Sequence, residues 1–182
     1  HCRAAAGPSE TWPALVANSH GLNLTSLGFG GNCHMEPMVG RMIRDMHADY
    51  ISPCLGINVM GGHSLAERTF RAAVIGLIQL IREKHIDTPI VVMSPIHHPP
   101  GEKTANAVGM TLEGMRDRIQ NAVEVLSRQG DKRLYYVNGM DVFGPAQLHY
   151  MPAQLHPHAD GYRVFAERYS ELVMPHLDVA SK

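Results

Sequence analysis

Short apolar runs alternate along the whole chain with longer segments of helical periodicity, and this alternation constrains the fold most. The runs at 22–27, 49–55, 89–93 and 134–137 are predicted strands. One of them reads Pro-Ile-Val-Val-Met, which is typical of a strand buried on both faces. Strands separated by helices connect through right-handed crossovers into a parallel sheet. We therefore predict an α/β fold, a flavodoxin-like three-layer α/β/α domain.

The helices between these strands are predicted from apolar spacing and from capping residues. Ser9 is predicted to cap a helix over 9–18, and Ser64 with Glu67 forms a capping box for a second one. Thr111 is predicted to open a helix that ends near Arg128. Further helices are predicted over 37–46 and over 162–172, where apolar residues recur at 162, 165, 166, 169 and 172.

The predicted element order begins with a helix, although a doubly wound domain normally begins with a strand. We therefore expect the first, central strand to lie upstream of His1. The 182 residues otherwise fit a single domain over 1–182, and 45% hydrophobic residues suffice to fill its core.

The charge balance argues against two classes of partner. The formal net charge is -1, so no basic field is present to hold a nucleic-acid backbone or an anionic membrane. No apolar run is long enough to span a bilayer. Cys2, Cys33 and Cys54 match no zinc pattern and are interpreted as free thiols, which favours a reducing compartment such as the cytoplasm.

Ligands of open parallel sheets bind beyond the carboxyl ends of the strands, which points to the loops 28–34, 56–63, 94–108 and 138–158. Three residues there suit ester cleavage. Gly31 can bring a backbone N–H close to a substrate, Asn58 can donate its amide to an oxyanion, and His156 can act as a base. Each also has a bland interpretation, as a turn glycine, an Asx-turn residue and an uninvolved loop histidine.

The order of these pieces is more specific than any one of them. Leu-Gly-Phe-Gly-Gly-Asn at 27–32 resembles the second block of the SGNH (GDSL-like) hydrolases, and Leu-Gly-Ile-Asn at 55–58 resembles their third. Leu-His-Pro-His-Ala-Asp-Gly-Tyr at 155–162 resembles the fifth block. The resemblance implies that Gly31 and Asn58 form the oxyanion hole and that His156 is the base. It implies no metal and no organic cofactor.

The chain departs from the family pattern at two places. The first block, which carries the nucleophilic serine, does not occur in it, and the resemblance places that serine shortly before His1. A further upstream N-terminal segment or domain is a second expectation. The family acid three residues before the histidine is replaced by Ala153. A backbone carbonyl, Asp141 or Asp160 are the candidate substitutes that orient the imidazole, although Asp160 also suits a helix cap or a solvated surface.

Other polar residues of these loops have structural interpretations that we prefer. Ser94 is interpreted as a turn residue before Pro95, and Cys33 and His34 as packing residues. His97 and His98 flank the predicted pocket and are interpreted as solvent-facing loop residues, with a role in acyl or alcohol specificity as the alternative.

The leading hypothesis is thus a serine ester hydrolase acting through an acyl-enzyme on a small-molecule ester. An acyltransferase would use the same residues with an alcohol as acceptor. A non-catalytic binding domain with a degraded triad is the hypothesis from another class, favoured by Ala153 and the absent serine.

Overall fold

A computed structural model describes residues 4–177 of the chain and shows a parallel sheet with helices on both faces. Strand β1 (Ile90–Met93) pairs in parallel with strand β2 (Leu134–Val137), with Ile90 opposite Leu134 and Met93 opposite Val137. On the other edge of β1, Ile51 and Cys54 form isolated parallel bridges to Ile90 and Met93. The segment 51–54 therefore lies beside β1 as a third, short extended element.

Eight α-helices surround this sheet within the described residues. They are α1 (Trp12–Ser19), α2 (Pro37–Asp45), α3 (Ile57–Gly62), α4 (Glu67–Arg82), α5 (Leu112–Arg128), α6 (Gly139–Val142), α7 (Ala159–Leu172) and α8 (Met174–Leu177). Single 3₁₀ turns or short 3₁₀ helices lie at Pro8–Glu10, Phe29–Gly31, Pro99–Gly101 and Pro145–Tyr150. The combination of many helices with a parallel sheet confirms the predicted α/β fold class.

The strand predictions were right for 89–93 and 134–137 and only partly right for 49–55. The prediction of a strand at 22–27 was wrong, because these residues lie in a largely exposed loop. A strand needs a hydrogen-bonding neighbour for its backbone, and no segment within 4–177 is paired with this one. The Leu22 N–H instead donates to the Ala17 carbonyl and closes α1.

Two of the predicted helix caps were also wrong. Ser9 lies inside the first 3₁₀ turn, and α1 begins only after Thr11. At α4 the cap position is Ala66, whose N–H donates to the Thr69 hydroxyl at 3.1 Å, while Ser64 bonds elsewhere. The Thr111 cap was right, because its hydroxyl accepts from the Gly114 N–H at 3.0 Å.

The core lies on both faces of the sheet, and β1 alternates between them. Ile90 and Val92 pack with α4 and α5, whereas Val91 and Met93 pack with α1 and α7. On the second face Trp12 stacks on Phe165 with ring centroids 4.6 Å apart. Since both faces of β1 are covered, its continuous apolar sequence is explained.

We predict that Gly139→Ala destabilises the protein by about 3 kcal/mol or more, because a Cβ there would lie 2.2 Å from the Ser94 carbonyl oxygen. Gly76→Ala is the matched control, since its Cβ would meet no atom within 4 Å in the middle of α4. It should stabilise the helix by roughly 0.5–1 kcal/mol. Urea unfolding of both variants measures the difference, and equal stability of the two would contradict this packing.

Candidate active site

The glycine-rich loop after residues 22–27 forms a tight, exposed turn. Gly30 and Gly31 have φ angles of 42° and 85°, a left-handed region that a residue without Cβ adopts easily. The Asn32 amide holds the turn by donating to the carbonyls of Phe29 at 2.9 Å and Gly30 at 3.1 Å. The turn is thus held by the Asn32 side chain, and a Cβ at Gly31 would meet no atom within 4 Å.

Asn58 lies in the first turn of α3, directly after the 51–54 segment. Its Oδ1 accepts a hydrogen bond from the Cys33 N–H at 3.1 Å, which links α3 to the glycine-rich loop. Because the oxygen is occupied by this contact, the side-chain NH₂ is the part of the amide that remains as a donor. Gly56, directly before α3, allows close packing of Pro95 against this segment, since a Cβ at Gly56 would lie 2.7 Å from Pro95 Cγ.

His156 lies three residues before α7 and is half-buried. It lines a cavity of about 220 Å³ together with mostly apolar residues. The other lining residues are Ala4, Pro152, Ala153, Leu155 and His158. His158 has a structural duty as well, because its ring accepts from the Gly161 N–H and caps α7.

A series of contacts connects the loops that carry these three residues. Asn58 is joined to the glycine-rich loop through Cys33, and the Asn106 amide donates to the carbonyl of Met60 in α3 at 3.0 Å. From the same long loop, His98 Nδ1 donates to the Gln154 carbonyl at 2.5 Å. The candidate donors and the candidate base thus belong to one connected set of loops, and their convergence on a single substrate atom stays a prediction.

Ala153, the position of the family acid, lines the same cavity as His156. Of the candidate substitutes, Asp160 accepts from Arg163 at 2.9 Å with a side chain that is 70% exposed, so it is a surface residue within α7 rather than its cap. Asp141 is exposed and lies in the first turn of α6. Position 153 therefore lies beside the candidate base, in the same cavity.

Ser94 follows β1 but has the environment of a structural residue. It is 1% exposed, its hydroxyl lies 3.0 Å from the Tyr136 hydroxyl, and it accepts from the Gly139 N–H at 3.1 Å. Because both contacts join β1 to β2 and α6, the interpretation of Ser94 as a turn residue agrees with its surroundings.

Ser64 is exposed, and its hydroxyl lies 2.7 Å from His34 Nδ1, a distance that also suits a nucleophile and its base. Within residues 4–177 the hydrogen bond of the His34 ring is the one to Ser64, and no ion pair of His34 with a carboxylate is formed there. The pair therefore lacks the third, orienting group of a triad in the described part of the chain.

The cysteines of the described residues lack the lowered pKa of an activated thiol. Burial raises the pKa of the Cys54 thiol to about 12, and burial followed by the nearby Glu36 carboxylate raises the pKa of Cys33. Both thiols are free and protonated at neutral pH. Cys2, the third predicted free thiol, lies outside the described residues.

Neither a metal site nor a membrane span emerges between residues 4 and 177. No group of three or more His, Cys, Asp or Glu side chains there is arranged to hold a metal ion. None of the helices in that range is both long and apolar enough to cross a bilayer.

The sequence interpretation missed a buried ion pair beneath the long loop after β1. Arg116 of α5, only 7% exposed, donates to both carboxylate oxygens of Glu102 at 2.7 and 2.8 Å. It also donates to the carbonyls of Pro95 at 2.9 Å and Ile96 at 3.1 Å. The sequence feature that could have predicted this ion pair is an arginine on the apolar face of a predicted helix, between Met115 and Ile119.

His97 is largely buried beside this cluster, so its interpretation as a solvent-facing residue was wrong, whereas His98 is half-buried and contacts the cluster through its backbone. His97 Nδ1 lies 3.3 Å from Glu102 Oε1 and its side chain is 14% exposed. The His98 N–H donates to the same oxygen at 2.9 Å. Burial raises the pKa of the Glu102 carboxyl, but the hydrogen bonds from Arg116 and His98 lower it by more. The pKa of Glu102 therefore lies below its ordinary value.

The chain matches the model of the GDSL-like lipase/acylhydrolase family over residues 1–174. No curated protein matches it. Among solved structures it resembles a salicylyl-acyltransferase from a tetracycline biosynthetic pathway, with 36% identity and a TM-score of 0.88. That match covers 99% of this chain and 52% of the acyltransferase, so the chain spans about half of its length.

More distant structures share the fold. A putative GDSL-like lipase from Bacteroides ovatus is 24% identical with a TM-score of 0.79, and the match covers 95% of this chain and 49% of that one. A member of the lipolytic G-D-S-L family from Veillonella parvula is 12% identical with a TM-score of 0.65. In this case 93% of the chain and 90% of the neighbour are covered.

We predict that Glu102→Gln destabilises the protein by roughly 3 kcal/mol, because it leaves the Arg116 guanidinium buried without its counter-charge. The contribution of ionised Glu102 is fully present above its ordinary pKa of 4.5 and is lost as the pH falls through the lower pKa of the folded state. Urea unfolding at neutral and acidic pH measures both effects.

Glu83→Gln is the matched control for this prediction. Glu83 pairs with Arg44 on the surface, and its side chain is 55% exposed, so its removal should cost less than about 1 kcal/mol. Equal losses for the two variants would show that the Arg116 pair contributes no more than a surface contact.

Proposed function

Because the chain belongs to the GDSL-like lipase/acylhydrolase family, we propose that it is a serine ester hydrolase that acts through an acyl-enzyme. In this proposal His156 is the general base, and Gly31 N–H and the Asn58 amide stabilise the oxyanion. The observation that carries it is the Cys33–Asn58 hydrogen bond. This bond fixes the Asn58 oxygen and leaves the Asn58 NH₂ free to donate to an oxyanion. Asn58 lies in α3, the helix that follows the edge of the sheet.

The chemistry follows from these roles. A serine hydroxyl attacks the ester carbonyl and passes its proton to His156, and the developing oxyanion accepts from Gly31 N–H and Asn58 Nδ2. Collapse of the intermediate breaks the ester C–O bond, and the alcohol leaves with the proton from His156. Water then attacks the acyl-enzyme with His156 again as base, which releases the acid and restores the serine.

The nucleophile of this proposal is a serine that precedes His1, as the family resemblance implies. The environment of Ser94 supports this, since Ser94 is buried and held by two contacts. The cavity beside His156 is lined by no serine of residues 4–177. The upstream segment is thus a partner of the site in the proposal.

A second candidate function is acyl transfer to an alcohol. The observation that favours it is the 36% identity over 99% of the chain with a salicylyl-acyltransferase. Product analysis of an ester reaction with a competing alcohol distinguishes ester exchange from hydrolysis.

We predict that His156→Ala lowers ester turnover at least ~10³-fold in the protein extended by its native upstream sequence, because the serine loses its base. Hydrolysis of p-nitrophenyl acetate and labelling by a fluorophosphonate probe measure the loss. His20→Ala is the control, since it removes an exposed histidine at the end of α1.

The site of labelling tests the placement of the nucleophile separately. A fluorophosphonate should label the extended protein upstream of His1 and should not label residues 1–182 alone. Label mapped to Ser64 would instead identify the His34 pair as the reactive dyad. Turnover unchanged by His156→Ala would refute the base, and no turnover of any ester would favour a binding domain.

We predict that Ala153→Asp raises kcat in the same extended protein, because a carboxylate at this position can fix the imidazole tautomer and stabilise the imidazolium. Where that carboxylate acts, its absence costs up to ~10⁴-fold, so even a partial recovery is measurable. Ala153→Asn is the matched control, equal in size but uncharged. A similar kcat for both variants and the parent would mean that another group already orients His156.

A further inference from the structure

We propose that His98 is a positioning residue for the base loop, residues 152–156, and holds it through the hydrogen bond from its Nδ1–H to the Gln154 carbonyl. This inference rests on the proposed function, in which His156 is the base. His98 contacts neither the substrate nor the reacting atoms in this proposal. It acts through the backbone two residues before the base.

The acceptor side needs such support. Gln154 has a φ of 56°, a left-handed conformation that a residue with a Cβ adopts with strain. Residues 152–155 are exposed, so packing contributes little to their placement. The Gln154 N–H donates to the Met151 carbonyl at 2.7 Å, a bond within the loop itself. The His98 contact at 2.5 Å is the bond that ties the Gln154 carbonyl to another part of the fold.

The donor side is rigid. The His98 N–H donates to Glu102 Oε1 at 2.9 Å. The Glu102 carboxylate in turn accepts two hydrogen bonds from Arg116. Arg116 is buried and also holds the Pro95 and Ile96 carbonyls, which precede His98 in the chain. The His98 ring therefore belongs to a loop that is held in place by its contacts with α5.

His97 cannot replace His98 in this role. Its Nδ1 lies 3.3 Å from Glu102 Oε1, and its backbone N–H donates to the Phe143 carbonyl at 2.9 Å. Adjacent side chains of an extended segment point to opposite sides, and His98 has extended backbone angles of -144° and 94°. Only His98 of the pair faces the base loop.

A small displacement of the base slows the chemical step, because proton transfer depends on its exact position. Binding of the ester changes little. We expect His98→Ala to lower kcat by about 10- to 100-fold with KM nearly unchanged. His98→Asn should recover most of the rate, because the Asn Nδ2 can donate from nearly the position of the imidazole Nδ1. His20→Ala is the control for loss of an exposed imidazole.

The experiment measures p-nitrophenyl acetate kinetics of these variants and of His156→Ala in the extended protein. It also measures amide hydrogen exchange at Leu155 and His156, with thermal unfolding to verify the fold. Slow turnover and fast exchange in His98→Ala, both reversed in His98→Asn, support the proposal. Parental kcat in His98→Ala, or equal loss in both His98 variants, overturns it.

Failure of the proposed function gives a different result. If His156→Ala retains full turnover, His156 is not the base, and exchange alone then decides whether His98 holds the loop. Exchange at Leu155 and His156 that is faster in His98→Ala but not in His98→Asn supports the contact. Exchange that is unchanged in both variants overturns it.

Discussion

The burial of β1 on both faces and the pairing of its backbone on both edges are the constraint on which the rest of the fold depends. Residues 90–93 are between 0% and 2% exposed. On one edge, Val91 and Met93 donate to the carbonyls of Ile51 and Pro53, and on the other edge the Ile90 N–H donates to Arg133. If this buried strand left the sheet, the backbone N–H and C=O groups of its neighbours on both edges would lose their hydrogen-bond partners, at a large cost in free energy. Because its neighbours run parallel to it, their carboxyl ends meet at one side, and the loops after them share that side.

Arg116 is a central contact that holds the loop after β1 at this edge of the sheet. The buried guanidinium satisfies two backbone carbonyls and one carboxylate at once, so its charge is compensated and the loop is held by several bonds. A single side chain of α5 thereby links the helical layer to the sheet edge. The same arrangement places Glu102 next to His97 and His98, directly after the Pro-Pro-Gly 3₁₀ turn at 99–101.

The candidate oxyanion donors are organised before any substrate binds. The glycine-rich turn is held by Asn32, and Asn58 is held by the Cys33 N–H, so neither group has to be ordered during reaction. Donors that are already oriented stabilise developing charge without a cost of reorganisation. The base loop differs, because it is exposed and contains Gln154 in a left-handed conformation. The proposed site thus combines candidate donors held by local hydrogen bonds with a candidate base whose loop is tied to the fold by the His98 contact.

The sequence by itself determined the layer order, the strands at 89–93 and 134–137, the helix capped by Thr111 and the family, because apolar periodicity and short motifs are local properties. It also identified Gly31, Asn58 and His156 as candidates, whose joint role stays a proposal. Only the tertiary structure decided that 22–27 is a loop, since pairing depends on a neighbour that local propensity does not describe. It likewise assigned Ser64 to His34 instead of a helix cap, and it joined Arg116 to Glu102 and His98 to Gln154. These contacts join residues far apart in the chain, and their partners are set by how the layers pack, which no local pattern encodes.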